Sequence, residues 1–258
     1  MNKSKIKKTR WKAGNMIYPL PAAMVSCGDK SRANIVTVGW TGTICTNPPM
    51  TYISLRPSRY SYDMIKESGY FVINLTTRDL TFATDFCGVK SGRDVDKFEA
   101  MGLTLMHDEE TGCPMIGESP VSIVCQTKEI KELGSHHMFI ADVRHIYVDE
   151  AYLDEKEKFH LNESQLIAYS HGKYLSLGEE LGSFGYSVCK KKKKEVKPQS
   201  PKDTKLIKQE SKGLKDKQKE NYKKTKSLGK GKQEFGDKKA SLNKKPFSKN
   251  KNKQKQIK

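Results

Sequence analysis

The apolar pattern of this 258-residue chain stops at Cys189. From Lys190 to Lys258 there are 27 lysines and 7 acidic residues among Gln, Ser, Asn and Gly. The only apolar side chains there are isolated ones such as Leu206, Ile207, Phe235 and Phe247. Such a stretch buries too little surface to offset the entropy of ordering it, so residues 190–258 read as a disordered, lysine-rich tail. Whatever folds must lie before it. The formal charge of +18 divides at the same place: of 48 basic and 30 acidic residues, 21 and 23 precede Lys190. The high charge belongs to the tail and not to a basic fold.

The first ten residues, "MNKSKIKKTR", form a basic N-terminal extension without the apolar run of a secretory signal. No run in the chain is apolar over the length needed to span a bilayer. That leaves residues 11–189 as one folded domain, long enough to bury a core. Its cysteines, Cys27, Cys45, Cys87, Cys113, Cys125 and Cys189, are scattered, with no CxxC pair and no zinc spacing. The expectation is a reducing cytoplasm, free thiols, and mostly buried cysteines packed as small hydrophobes.

Short alternating runs dominate the domain. "AAMVSCG" (22–28) and "ANIVTVGWTG" (33–42) predict two strands joined by the polar turn "DKSR". "MTYISLRP" predicts a third, with Thr51, Ile53 and Leu55 on one face and Tyr52, Ser54 and Arg56 on the other. In "SYDMIKESG", Ser61 is placed to cap a short helix and Gly69 to end it. "YFVINL" predicts an apolar strand, residues 79–98 a helical and looped region, and "SPVSIVCQTKEIKEL" and "HHMFIADVRHIYV" two long strands around a "GS" turn. Many strands with one or two inserted helices indicate a mainly β fold with α additions, a barrel or sandwich. The βαβ alternation of a Rossmann sheet is absent.

Several reaction classes lose their footing. No GxGxxG follows a strand, and no GxxxxGK[ST], GxSxG or HExxH occurs. What remains is polar and glycine-rich. "TVGWTGTICTNPP" offers the Thr41 and Thr43 hydroxyls and amides near Gly39 and Gly42, though an ordinary hairpin would look the same. "RPSRYS" offers Arg56, Arg59 and Ser61 at a helix start, which suits a phosphate, or two solvated arginines. His136 and His137 are adjacent in a strand and so face opposite ways; a lone histidine is more often structural. Asp94, Asp96 and Lys97 in "GRDVDKF" fit a solvated helix start.

Taken together, "YPLPAAMVSCG", "ANIVTVGWTGTICTNPPMTYISLRPSRYSYDMIKESGYFVINL", "FCGVKSGRDVDKF", "SPVSIVCQTKEI", "HHMFIADVRHIYV" and "YSHGKYLSLGEELGSFGYSV" resemble the flavin reductase-like proteins, flavoredoxins among them, from about Trp11 to Val188. The resemblance implies an FMN-binding split β-barrel that forms a homodimer. It implies that Arg59 and Ser61 hold phosphate oxygens, with Arg56 nearby. Trp40, Thr41, Gly42 and Thr43, with Ser54 and Leu55, would line the ring and ribityl chain. Cys87, Gly88, Ser91 and Lys97 match a segment that approaches the flavin, often across the dimer interface. His137 and Tyr174 fall in a later ligand-lining region.

The implied function is an FMN-binding oxidoreductase: an NAD(P)H-dependent flavin reductase with NADH or NADPH as donor, or a flavoredoxin-like carrier serving a small-molecule or protein partner. Nicotinamide can stack on an exposed flavin face without a Rossmann domain, so the missing GxGxxG does not oppose hydride transfer. The other reading is a non-enzymatic flavoprotein or binding module tethered to nucleic acid or another polyanion by the tail. The tail lies outside the resemblance.

Overall fold

The computed structural model describes residues 6–189; the rest of the N-terminal extension and the whole tail expected at 190–258 lie outside the described residues. Along the chain run β1 (Leu20–Pro21), β2 (Ala23–Gly28), β3 (Ala33–Val38), β4 (Thr41–Thr46), β5 (Pro49–Leu55), α1 (Tyr60–Ser68), β6 (Tyr70–Asn74), α2 (Thr81–Val89), α3 (Lys97–Met101), β7 (Leu105–His107), β8 (Pro114–Ile116), β9 (Val121–Glu132), β10 (His137–Val148), β11 (Ile167–Ser170) and β12 (Lys173–Ser176). All lie in a unit that ends at Ser183.

Seven strands pair antiparallel in the order β3-β2-β6-β9-β10-β5-β4. The two edge strands, β3 and β4, are consecutive in sequence and separated only by Gly39 and Trp40. Edges of a flat seven-stranded sheet would stand about 29 Å apart at ~4.8 Å per strand. Three residue steps span at most about 11 Å. The sheet must therefore curl until its edges nearly meet, giving a mainly β split barrel with few helices.

The expected single strand over 33–42 is thus two strands on opposite edges. Alternation continues through Gly39 and Trp40, but the hydrogen-bonding partner changes from β2 to β5. The double proline makes the β4–β5 turn: the Asn47–Pro48 peptide is cis and Pro49 opens β5.

Inside the barrel, Val25, Val36, Ile53, Leu55, Phe71, Ile73 and Phe139 pack around Tyr62, Met64 and Ile65 of α1. The outer face of β2 and β3 is covered too. Met24 and Ile35 pack with Leu80, Ala83 and Cys87 at α2, Phe98 of α3 and Ile116 of β8. Gly69 ends α1 at φ 76°, its N–H bonded to the Ile65 carbonyl at 2.9 Å, in the left-handed conformation glycine adopts freely.

Cys27, Cys87, Cys113 and Cys125 are buried, Cys45 is half-buried and Cys189 exposed. Burial pushes the Cys27 and Cys87 thiols up to about 11, Cys125 to about 12, and Cys113 further still. Raised folded-state values mean that stability is fully present below the ordinary thiol value of 9.0 and is lost as pH climbs through the folded values. Melting temperature should hold to about pH 8 and fall between about pH 9 and 11. In parallel, a thiol reagent at about pH 8 should modify two cysteines of the native chain quickly and the remaining four only after denaturation. Fast reaction of all six would contradict this burial.

Candidate functional site

Two adjoining cavities open beside the barrel, meeting at the loop that leaves β5. After Leu55 the chain turns, with the Arg59 N–H donating to the Arg56 carbonyl at 3.0 Å, and α1 begins at Tyr60. Arg59 is the residue preceding the helix, with extended backbone and no side-chain cap. Ser61 does not cap, contrary to expectation. It lies inside the first turn, buried, and its hydroxyl accepts from Asn34 Nδ2 at 2.8 Å.

The first cavity has a volume of about 500 Å³, and its walls include Asn34, Arg56, Arg59, Ser61, Ser91 and Lys97. Lys90 and Arg93 add two more cations, and no carboxylate lines it. Lys97 is not the solvated helix-start residue its neighbours Asp94 and Asp96 suggested. It is buried, and its Nζ donates to the carbonyls of Ile35 at 2.6 Å and Cys87 at 2.8 Å. Burial pulls its pKa below the ordinary lysine value, and Arg59 adds to the effect, while Cys87 opposes it. The helix start is capped by Asp96, which accepts from the Phe98 and Glu99 N–H groups at 2.9 and 3.1 Å.

The second cavity, about 480 Å³, shares Arg56 and Arg59 with the first and has aromatic walls at Tyr18, Trp40, Tyr169 and Tyr174. Trp40 packs on His136 with ring centroids 4.4 Å apart. Burial holds His136 below its usual pKa, reinforced by the Arg56 and Arg59 cations. Tyr174 donates to Asp85 Oδ1 at 3.1 Å, tying β12 to α2. Its phenol is pushed up to about 12, by burial first and then by the Asp85 carboxylate. The Arg59 guanidinium donates to the Gly88 carbonyl at 3.2 Å, so the C-terminal turn of α2 braces the wall between the cavities.

Of the residues proposed from the sequence, Arg56, Arg59, Ser61, Ser91 and Lys97 line the first cavity, and Trp40, Ser54, Leu55, Gly88 and Tyr174 the second. Thr41, Gly42, Thr43, Cys87 and His137 line neither. Thr41 Oγ1 donates to the Tyr52 carbonyl at 2.6 Å, and the Gly42 carbonyl accepts from Thr51 Oγ1 at 2.9 Å. Thr43 is exposed on the edge strand β4. Cys87 is buried on the core-facing side of α2, and its carbonyl serves Lys97. His137 turns inward, with Nδ1 and the Tyr62 hydroxyl 2.8 Å apart. The alternation argument placed the two histidines on opposite faces; it is His136 that reaches the cavity. Sequence reasoning missed Asn34, Tyr60, Lys90 and Arg93 at the first cavity and Tyr18, Asp85 and Tyr169 at the second. The run of cations from Lys90 to Lys97 was the available signal.

Among the described residues no group of three metal-ligating side chains is placed to hold a metal, and no helix is long and apolar enough to cross a membrane.

Residues 15–178 match the model of the flavin reductase like domain. The flavoredoxin of Desulfovibrio vulgaris (Miyazaki F) is 30% identical, with 71% of this chain and 100% of that chain covered at a TM-score of 0.65. An FMN-binding protein from Thermus thermophilus, 22% identical, shares the fold over 68% of this chain and 99% of its own, at a TM-score of 0.59. A flavin reductase of Pseudomonas putida is 26% identical over 134 residues, 51% of this chain and 75% of that protein.

Proposed function

The chain belongs to the flavin reductase-like domain family, and from that premise we propose that it is an FMN-dependent oxidoreductase that takes electrons from NADH or NADPH. The observation that carries this reading is the pairing of a cation-lined cavity with an aromatic one across Arg56 and Arg59. A cavity with five cations and no carboxylate suits a phosphate dianion, and the adjoining aromatic walls suit a planar ring. The two chemistries lie side by side, as FMN requires. The FMN-binding Thermus thermophilus protein supports the same cofactor.

FMN, when bound, supplies the redox chemistry. The residues of this chain bind, orient and seal. Arg56, Arg59 and Ser61 hold the phosphate, with Ser61 already oriented by Asn34. Lys97 ties β3 to the end of α2 and keeps the cavity wall in place while adding positive charge. Trp40, Leu55 and Tyr174 wall the ring and exclude water. With its pKa held down, His136 stays neutral at neutral pH and brings a polar but uncharged edge to the ring pocket. In this reading the working form is a cytoplasmic homodimer. Phe82 and Val89, exposed and seven residues apart on α2, offer apolar surface on one helix face for the partner.

An absorbance spectrum of the protein reconstituted with FMN, taken anaerobically before and after NADH or NADPH, tests the proposal. Bleaching of the flavin bands is expected, and the nucleotide that bleaches faster is the donor. Bound flavin that neither nucleotide reduces would make the protein a carrier reduced by another protein. Failure to bind FMN would overturn the site.

The charge of the segment from Lys190 on, 27 lysines against 7 acidic residues, supports an added role as a non-specific tether to a polyanion. Affinity for single-stranded RNA should fall steeply with salt and disappear on deleting residues 190–258. RNA binding that survives the deletion would exclude the tail as the tether.

A further inference from the structure

A third cavity, about 410 Å³ in volume, adjoins the aromatic one. Tyr18, Leu20, Trp40 and Ser54 line both, so a single layer of side chains separates them. That partition is held by contacts of its own. The Ser54 N–H donates to the Trp40 carbonyl at 2.8 Å. His136 packs against the Trp40 ring, and Tyr18 lies on His171 with ring centroids 4.6 Å apart.

The strands dictate what faces this cavity. β5 buries Ile53 and Leu55 inside the barrel, so Tyr52 and Ser54 lie on the outer face of the sheet. Met138 of β10 is in register with Ser54 and shares that face. Residues 14–18 and Leu133 of the β9–β10 turn complete the walls, and no charged residue is among them. This sets the third cavity apart from the other two, both of which include Arg56 and Arg59. Met16, Ile17 and Leu133 are each more than half exposed, which leaves apolar surface for a ligand to cover.

Such walls define the occupant. Nothing in them neutralises a phosphate or a carboxylate, and burying either one unpaired is costly. A free flavin mononucleotide or a nicotinamide dinucleotide is therefore poorly served there. The rings of Tyr18, Trp40 and Tyr52 suit a flat, uncharged ring. The hydroxyls of Tyr52 and Ser54 and the amide of Asn15 are donors for carbonyl oxygens. The volume falls within the range of small-molecule sites, which begin near roughly 300 Å³. Resting on the flavin reading above, we propose that this cavity takes a quinone, the electron acceptor, beside the flavin and not in its place. The flavin hydroquinone gives up two electrons and two protons, and the quinone takes up two of each to become a hydroquinone. The electrons cross the partition and the protons exchange through water.

Equilibrium dialysis of the FMN-loaded, full-length protein against duroquinone tests this. Duroquinone is fully substituted, so it does not add to the exposed Cys189 thiol. Saturable binding with FMN retained is expected. Met138→Asp and Leu133→Asp each put a carboxylate on the apolar wall. Each should weaken duroquinone binding about tenfold or more while moving FMN affinity by less than about twofold. Retained FMN binding also reports that the variants are folded. Anaerobic reoxidation of the reduced protein by subsaturating duroquinone should slow by the same factor, and an unchanged rate would overturn the acceptor role. Duroquinone that displaces FMN would sit in the ring cavity, and duroquinone indifferent to both substitutions would bind elsewhere; either result overturns the site. So does a wild type that binds no duroquinone, or variants that turn a sedimenting dimer into a monomer with duroquinone binding unchanged, because a second copy then covers the cavity. Failure to bind FMN with duroquinone binding intact would instead defeat the flavin reading, and the acceptor role with it, while leaving the quinone cavity in place.

Discussion

Asn74→Leu should destabilise the fold by about 4 kcal/mol, the sum of two or three buried polar groups left unpaired at roughly 1–3 kcal/mol each. Asn74 is fully buried at the end of β6. Its Nδ2 donates to the Met24 carbonyl at 3.0 Å and to Ser26 Oγ at 2.9 Å. Its Oδ1 accepts from the Ile116 N–H at 3.2 Å and from Ser122 Oγ at 2.8 Å. One amide therefore joins β2, β6, β8 and β9, and a leucine of similar volume replaces none of those bonds. Ser26 extends the network by donating to the Pro114 carbonyl at 2.5 Å. Urea unfolding followed by far-UV circular dichroism would measure the loss. A change below about 1 kcal/mol would mean that the network reorganises around the substitution or that water satisfies it.

Arg59→Ala should weaken FMN binding by roughly ten- to a hundredfold, from one charge-assisted interaction of about 1.5–3 kcal/mol. The side chain is exposed, so little folding stability should go with it. Arg59→Lys should recover only part of the affinity, since an ammonium lacks the planar fork that grips a phosphate. A second readout does not depend on the cofactor. After burial, Arg56 and Arg59 are what hold the His136 pKa down, so its NMR titration in Arg59→Ala should move upward toward the ordinary histidine value. Unchanged FMN affinity would remove Arg59 from the phosphate site, and an unmoved His136 would remove it from the wall between the cavities.

Much of the strand framework was legible. On β5, the buried residues Thr51, Ile53 and Leu55 alternate with the half-exposed Tyr52 and Ser54, as a period of two requires. Gly69 stops α1, and the Gly134–Ser135 turn joins β9 to β10, because each is a local conformational preference written in two or three neighbouring residues. The grouping of Arg56, Arg59 and Ser61 in one cavity wall could be anticipated from the residue types of their loop. Its partners could not. Asn34, which orients Ser61, is 27 residues away, and Lys90 and Arg93 come from the end of α2 and the turn beyond it.

By itself, the sequence determined where the apolar pattern stops, that the strands before it alternate, and which short segment is rich in side chains suited to a phosphate. These follow from composition and from steric rules acting over a few residues. The tertiary structure alone decided that residues 33–42 would divide between the two edges of one curled sheet. It alone decided that Lys97 would be buried against carbonyls 62 and 10 residues distant, and that His136 and not His137 would face the cavity. Each outcome depends on which strand pairs with which and in what register. Pairing energy is shared between segments far apart in the chain, so no local pattern contains it.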